Sequence, residues 1–244
     1  KDINLKNKKT DILDSLDLTY LLQKEEYKYT PLLKNVEKKF DLLKENKDQI
    51  SQKSYEKVIK FVNSKFYLIS VDGYFKSELS NIPPKVKIKK YSELDREEKH
   101  TFENMYQKYD DSKSDFFSSL NSIIHEDCLT ISVDSNTALK EHITIININE
   151  NYDVNNYRKM IFCDKGSEIS IFERFINLKS DENFSSSVTE IYQAENSKLN
   201  YYSAQDFKEN YHYNSINVFQ KRDSVSNFFT VSFSGSIVRN NLNI

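Results

Sequence analysis

The stretch GSEISI, residues 166–171, places a residue tolerant of left-handed backbone before a serine and then enters an alternating apolar run. The same grammar returns as NSKLNY at 196–201 and DSVSNF at 223–228, with Gly166, Asn196 and Asp223 in the tolerant position. The three starts lie 30 and 27 residues apart, and Asp134-Ser135 reads as an earlier, weaker copy. A turn that feeds a strand and recurs at this interval points to stacked coils, in which equivalent turns lie over one another. A sandwich has no reason to repeat one turn type at such a spacing.

The surrounding sequence fits that reading. From residue 129 the apolar period changes from 3.6 to 2 and stays there. LTISV, ITIINI, KMIFC, EISIFERFI, VTEIYQ, LNYYSAQ, INVFQ, FFTVSF and SIVRNNLNI all read as strands, and no helical segment interrupts them. Residues 129–244 are therefore expected to form a partial parallel β-helix. Residues 1–128 are expected to form a helical or α+β domain. Helical patterns run through TDILDSLDLTYLLQ, YTPLLKNVEKKFDLL, SYEKVIKFVNS and SDFFSSLNSIIHE. In SELDREEKHTFENMYQKY, Leu94, Phe102, Met105 and Tyr109 share a stripe, with Ser92 and Asp95 at capping-box positions. Between these helices, Asp72-Gly73 sits between apolar runs in residues 66–75, a strong hairpin signal.

Composition narrows the function. The 244 residues carry 35 Lys+Arg against 37 Asp+Glu, so the basic excess of a nucleic-acid binder is missing. The lysines of KVKIKK, residues 85–90, read as one face of an exposed strand rather than a phosphate track. No apolar run reaches the length of a membrane span, and the first 20 residues lack a secretory core. The chain begins on Lys1 rather than Met, and the coils are expected to continue beyond Ile244. With 3 Gly, 3 Pro and no Trp against many Lys, Asn, Ile, Tyr and Phe, the composition reflects A/T-rich codons.

Catalytic constellations are sparse. There is no phosphate loop, GxSxG or HExxH. Cys128 and Cys163 read as packed thiols of a reducing compartment. His125 and Cys128, three apart, lack the second pair that zinc requires, and His100, His142 and His212 are scattered. Asp181-Glu182 imitates a glycosidase dyad but is unremarkable in so acidic a chain. Asn183-Phe184-Ser185 is a sequon without a secretory route. Arg239, Asn240, Asn241 and Asn243 read as amides stacked inside a coil and satisfying turn backbone, ahead of a ligand contact. No catalytic, cofactor-binding or metal residue is assigned.

EEYKYTPL (25–32), FYLISVDGYFKSELS, YRKMIFCDKGSEISIFERFI, SVTEIYQAENSKLNYYSAQ and SGSIVRNNLN resemble, in order, segments of the SufB/SufD family of the SUF iron–sulfur cluster assembly machinery. KYTPL after a helical start resembles the SufD branch, although Tyr27 stands where the family usually has Trp. The resemblance implies a helical N-terminal domain, a right-handed parallel β-helix and a non-catalytic scaffold role in a SufB–SufC–SufD complex. It implies that SufC docks on a later helical segment, that SufB pairs through later coils, and that the cluster-forming Cys/His residues also lie beyond Ile244. Iron–sulfur cluster and ATP then belong to the complex, with no cofactor in this chain and neither nucleic acid nor membrane as a partner. A cytoplasmic location, or a plastid-type organelle, is expected. The competing readings are the paralogous SufB scaffold and a polysaccharide-active β-helix, which needs a row of carboxylates on one coil face.

Overall fold

The structure, a computed structural model, describes residues 32, 35, 50–106, 115–125, 127–179 and 181–244. The helical patterns expected at 10–23 and 29–43 fall almost wholly outside these residues, as does Tyr109.

Helix α1 (Gln52–Val58) ends in a 3-10 turn. Strands β1 (Phe66–Val71) and β2 (Tyr74–Asn81) form the expected hairpin. Its turn residues Asp72 and Gly73 have φ of 50° and 93°, the left-handed pair that a two-residue turn requires. A Cβ on Gly73 would also lie 2.4 Å from the Asn156 carbonyl oxygen. Strand β3 (Val86–Lys90) is followed by α2 (Arg96–Met105) and α3 (Phe116–Ile124). The capping box of α2 is Asp95 with Glu98, three residues beyond the Ser92–Asp95 spacing, because residues 91–93 form a separate 3-10 turn.

Nine strands follow: β4 (Leu129–Val133), β5 (Ile143–Asn149), β6 (Val154–Cys163), β7 (Glu168–Asn177), β8 (Phe184–Gln193), β9 (Lys198–Asp206), β10 (Tyr211–Gln220), β11 (Val225–Ser234) and β12 (Ile237–Asn243). They alternate between two sheets. Sheet one has the order β11-β9-β7-β5-β1-β2 and sheet two β12-β10-β8-β6-β4-β3. All neighbours are parallel except β2 and β3, the antiparallel edge strands at the N-terminal end. Val154 lies beside Phe184, Phe184 beside Tyr211 and Tyr211 beside Ile237, so successive circuits take 30, 27 and 26 residues. This is the expected parallel β-solenoid, and β1 enters it by pairing in parallel with β5.

Gly166, Asn196 and Asp223 occupy equivalent turns with φ of 66°, 58° and 60°. The first two are tied through their amides to the next coil. The Gly166 amide donates to the Glu195 carbonyl at 3.0 Å, and the Asn196 amide to that of Arg222 at 3.2 Å. The first member of the column is Asn136, φ 54°, whose amide donates to Lys165. The earlier copy is therefore Asn136-Thr137 rather than Asp134-Ser135. Thr137 replaces the serine that marks the other copies, which displaced the sequence match by two residues. Asn196→Ala is expected to cost about 1 kcal/mol in urea unfolding, the penalty of an ordinary side chain at positive φ. Gly166→Ala is expected to cost more, because its Cβ also meets the Asn136 side chain at 2.6 Å.

Between the sheets, Leu68, Ile131, Ile143, Ile145, Ile161, Ile169, Ile171 and Leu199 form the largest apolar cluster. The outer face of sheet two is roofed by α2 and α3. Asp115 caps α3 by accepting from the Ser118 amide, and the same carboxylate accepts from the Tyr213 hydroxyl at 2.7 Å and from Asn241 Nδ2 at 3.2 Å. Phe117 then packs on Phe184 and Tyr213, with ring centroids 5.7 and 5.1 Å apart. Lys87 and Lys89 of β3 face one side, as expected, and pair with Asp134 and Glu98.

Candidate functional site: the polar interior of the solenoid

Strand alternation sends every second residue inward. On β7 that set is Ile169, Ile171, Glu173 and Phe175. On β6 it includes Lys159, Ile161 and Cys163. One carboxylate and one ammonium thus enter the interior from opposite sheets. They meet with Lys159 Nζ 2.8 Å from Glu173 Oε1, at 3% and 0% side-chain exposure. Asn147 Nδ2 donates to Oε1 at 2.6 Å, and the Tyr201 hydroxyl donates to Oε2 at 2.5 Å. Lys159 also donates to Ser187 Oγ at 3.1 Å. The carboxylate's acceptor sites are well used, which a buried charge requires. The pair ties the two sheets across the interior.

Next to this layer lies His212, fully buried. Its Nδ1 is 2.7 Å from Ser185 Oγ and its ring stacks on Phe207 at 4.1 Å. Among the described residues its Nε2 has no hydrogen-bond partner. Burial, reinforced by the charge of Lys159, lowers its pKa to about 3, so the ring is neutral at pH 7. One coil further, Gln205 Nε2 donates to Asn240 Oδ1 at 2.8 Å and Asn214 Nδ2 to the same oxygen at 3.2 Å.

A second buried ion pair lies outside sheet two, beneath the helices. Arg158 binds Glu190, donates to Ser122 Oγ at 3.0 Å and lies over the Tyr106 ring at 4.9 Å. Nearby Cys128 is fully buried among Tyr91, Phe102, Tyr106 and Met160, and desolvation holds its thiol far above the ordinary range. Cys163 lies inside the solenoid with its thiol raised to about 12 by burial. Both cysteines are free. A buried, protonated thiol is a poor nucleophile at pH 7.

The other residues singled out in the sequence take structural places. His125 closes α3, with Nδ1 2.9 Å from the Asn121 carbonyl oxygen. His142 sits beside Asn63 and His100 beside Asn104. Asp181-Glu182 is exposed between β7 and β8. Asn183 of the sequon is fully buried; it donates to Asn177 Oδ1 at 2.7 Å, and its amide donates to Asn210 Oδ1 at 2.8 Å. Of the terminal amides only Asn240 turns inward. Asn241 and Arg239 reach Asp115 on the outer face, and Asn243 donates to Asn217 at 2.7 Å. Turn backbone is satisfied instead by Asn210, whose Oδ1 accepts from the Asn183 amide and whose Nδ2 donates to the Phe207 carbonyl, and by Asn177, which bonds the backbone of Lys179. Among the described residues, no group of three or more His, Cys, Asp or Glu side chains converges as a metal site would require.

Sequence reasoning did not single out Lys159, Glu173, Arg158 or Glu190. A signal was present: Glu173 is in phase with Ile169 and Ile171, and Lys159 with Ile161 and Cys163.

Two family models match the chain. One described as "SUF system FeS cluster assembly, SufBD core domain" covers residues 145–244. The other, "SufBD protein N-terminal region", covers residues 15–145. No curated protein matches the chain.

Proposed function

Because this chain belongs to the SufB/SufD family of the SUF iron–sulfur cluster assembly system, we propose that it serves there as a non-catalytic scaffold subunit of the SufD kind. The observation that carries this reading is the order of the two matched regions. The core region starts at residue 145, where strands run uninterrupted through parallel coils. SufB and SufC are its proposed partners. Cluster and ATP belong to the complex rather than to this chain, whose two thiols are both buried. KYTPL at 28–32 favours SufD over SufB. A cytoplasmic setting is proposed with this role, and no described helix is long and apolar enough to cross a membrane.

The polysaccharide-active alternative needs stacked carboxylates. The outward columns of sheet one read Glu168–Lys198–Val225, Ser170–Asn200–Asn227, Phe172–Tyr202–Phe229 and Arg174–Ala204–Val231, and none is acidic throughout.

Co-expression of the full chain with SufB and SufC tests the proposal. A stable assembly containing all three is expected on size exclusion. A chain that takes SufB's place beside SufC and an authentic SufD would make it a SufB. Association with neither partner would overturn the scaffold reading.

A further inference from the structure

A cleft of about 520 Å³ opens between α2 and the outer face of sheet two. This volume is in the range of ordinary binding sites. Elsewhere on the same face, the outward residues Val154, Phe184 and Val188 are sealed beneath α3. Here the apolar lining stays open: Leu94, Met105, Phe162 and Tyr192 are only partly buried, with fully buried Phe102 behind them. Four partly exposed apolar side chains thus line one concave site.

The rim identifies the chemistry. Its two cations are already matched, Lys87 to Asp134 at 3.3 Å and Lys89 to Glu98 at 2.7 Å. Asp95 is held on the first amides of α2. Glu97 and Asp164 are exposed and carry no cation among the described residues. The cleft therefore presents an apolar floor under a surplus of negative charge. An anionic ligand would be repelled, and a neutral apolar one would leave the rim unmatched. We propose that this cleft docks a basic amphipathic segment of a partner protein, with an apolar side chain entering between Phe102, Met105, Phe162 and Tyr192 and flanking lysines or arginines meeting Glu97 and Asp164. This is the groove mode of peptide recognition, in which apolar anchors supply affinity and rim charges supply selectivity. The inference does not depend on the SUF assignment.

Fluorescence polarisation with a labelled Lys/Leu amphipathic peptide, against its Glu/Leu counterpart, tests the proposal on the purified chain. The basic peptide is expected to bind and the acidic one not to. The double reversal Glu97→Lys/Asp164→Lys is expected to weaken binding about tenfold, as is Tyr192→Ser, while Glu56→Lys/Glu78→Lys, on other faces, leaves it unchanged. Circular dichroism and melting confirm that the variants are folded. Equal binding of both peptides, no binding, or indifference to the cleft variants would overturn the proposal. So would a self-associating wild type that Tyr192→Ser turns into a monomer, since the occupant would then be a second copy.

Discussion

Glu173→Ala is expected to destabilise the chain by about 3–5 kcal/mol, the cost of breaking a buried ion pair from one side. The carboxylate is fully buried and is the acceptor for Lys159, Asn147 and Tyr201. Removing it leaves the Lys159 ammonium inside the solenoid with Ser187 as its remaining hydrogen-bond partner, and strands the donors of Asn147 and Tyr201. Lys159→Ala is expected to cost a similar amount, because Glu173 is then left buried without its cation, with only neutral donors around it. The double variant Lys159→Ala/Glu173→Ala removes both charges, so it should fall short of the sum of the singles by at least about 2 kcal/mol. Urea unfolding of the four proteins measures the coupling. Additive singles, or singles below about 1 kcal/mol, would show that the pair is not a buried charge contact.

The ion pair also shows why half of each long strand of sheet two was invisible in the sequence. The C-terminal halves of β6, β8 and β10 alternate between the two faces and were legible as KMIFC, VTEIYQ and INVFQ. Their N-terminal halves, residues 154–158, 184–187 and 211–215, carry Asn, Ser, Tyr and His and show no alternation. These residues are almost all buried on both faces, inward against the opposite sheet and outward under α3. Burial there is sustained by hydrogen bonds as well as by apolar side chains. Asn121 of α3, for example, donates to Ser186 Oγ at 2.7 Å. A period of 2 reports one wet face and one dry face. Where both faces are dry and one is polar, the signal disappears.

The same limit applied to charge. With 30% of the chain charged, an isolated Glu or Lys reads as surface. Glu173 and Lys159 became distinguishable only through their phase, and only after the register of β6, β7 and β8 was known. The turn column was legible because left-handed backbone restricts the choice of residue locally. Partners across the interior are set by coil stacking, and no short window of sequence contains that information.

His212 should make the fold acid-sensitive. Its ring nitrogen Nε2 is buried with no acceptor among the described residues, so a proton added there has none of them to donate to, and the neighbouring Lys159 ammonium repels it. The folded pKa of about 3 lies below the ordinary 6.5. Between these values the unfolded chain binds the extra proton and the folded chain does not, so this residue's contribution to stability is complete above about pH 6.5 and is lost as pH falls toward 3. From pH 7 to pH 4 the loss is about 3 kcal/mol, at 1.36 kcal/mol per unit. Asp72 and Asp127 act in the opposite sense. Burial raises both to about 6, so their ionisation weakens the fold as pH rises from about 4 to 6. The raw pH profile therefore mixes opposing slopes. The difference between wild type and His212→Asn removes the carboxylates, which both proteins share. Asn keeps a donor and acceptor for Ser185 but cannot take the proton. At pH 7 the variant is expected to be the less stable, having lost the stack on Phe207 and Phe175. At pH 4 the wild type should have lost about 3 kcal/mol relative to it. Urea unfolding of both proteins at the two pH values gives the difference directly, and a difference that does not change with pH would mean that His212 takes up its proton as readily folded as unfolded.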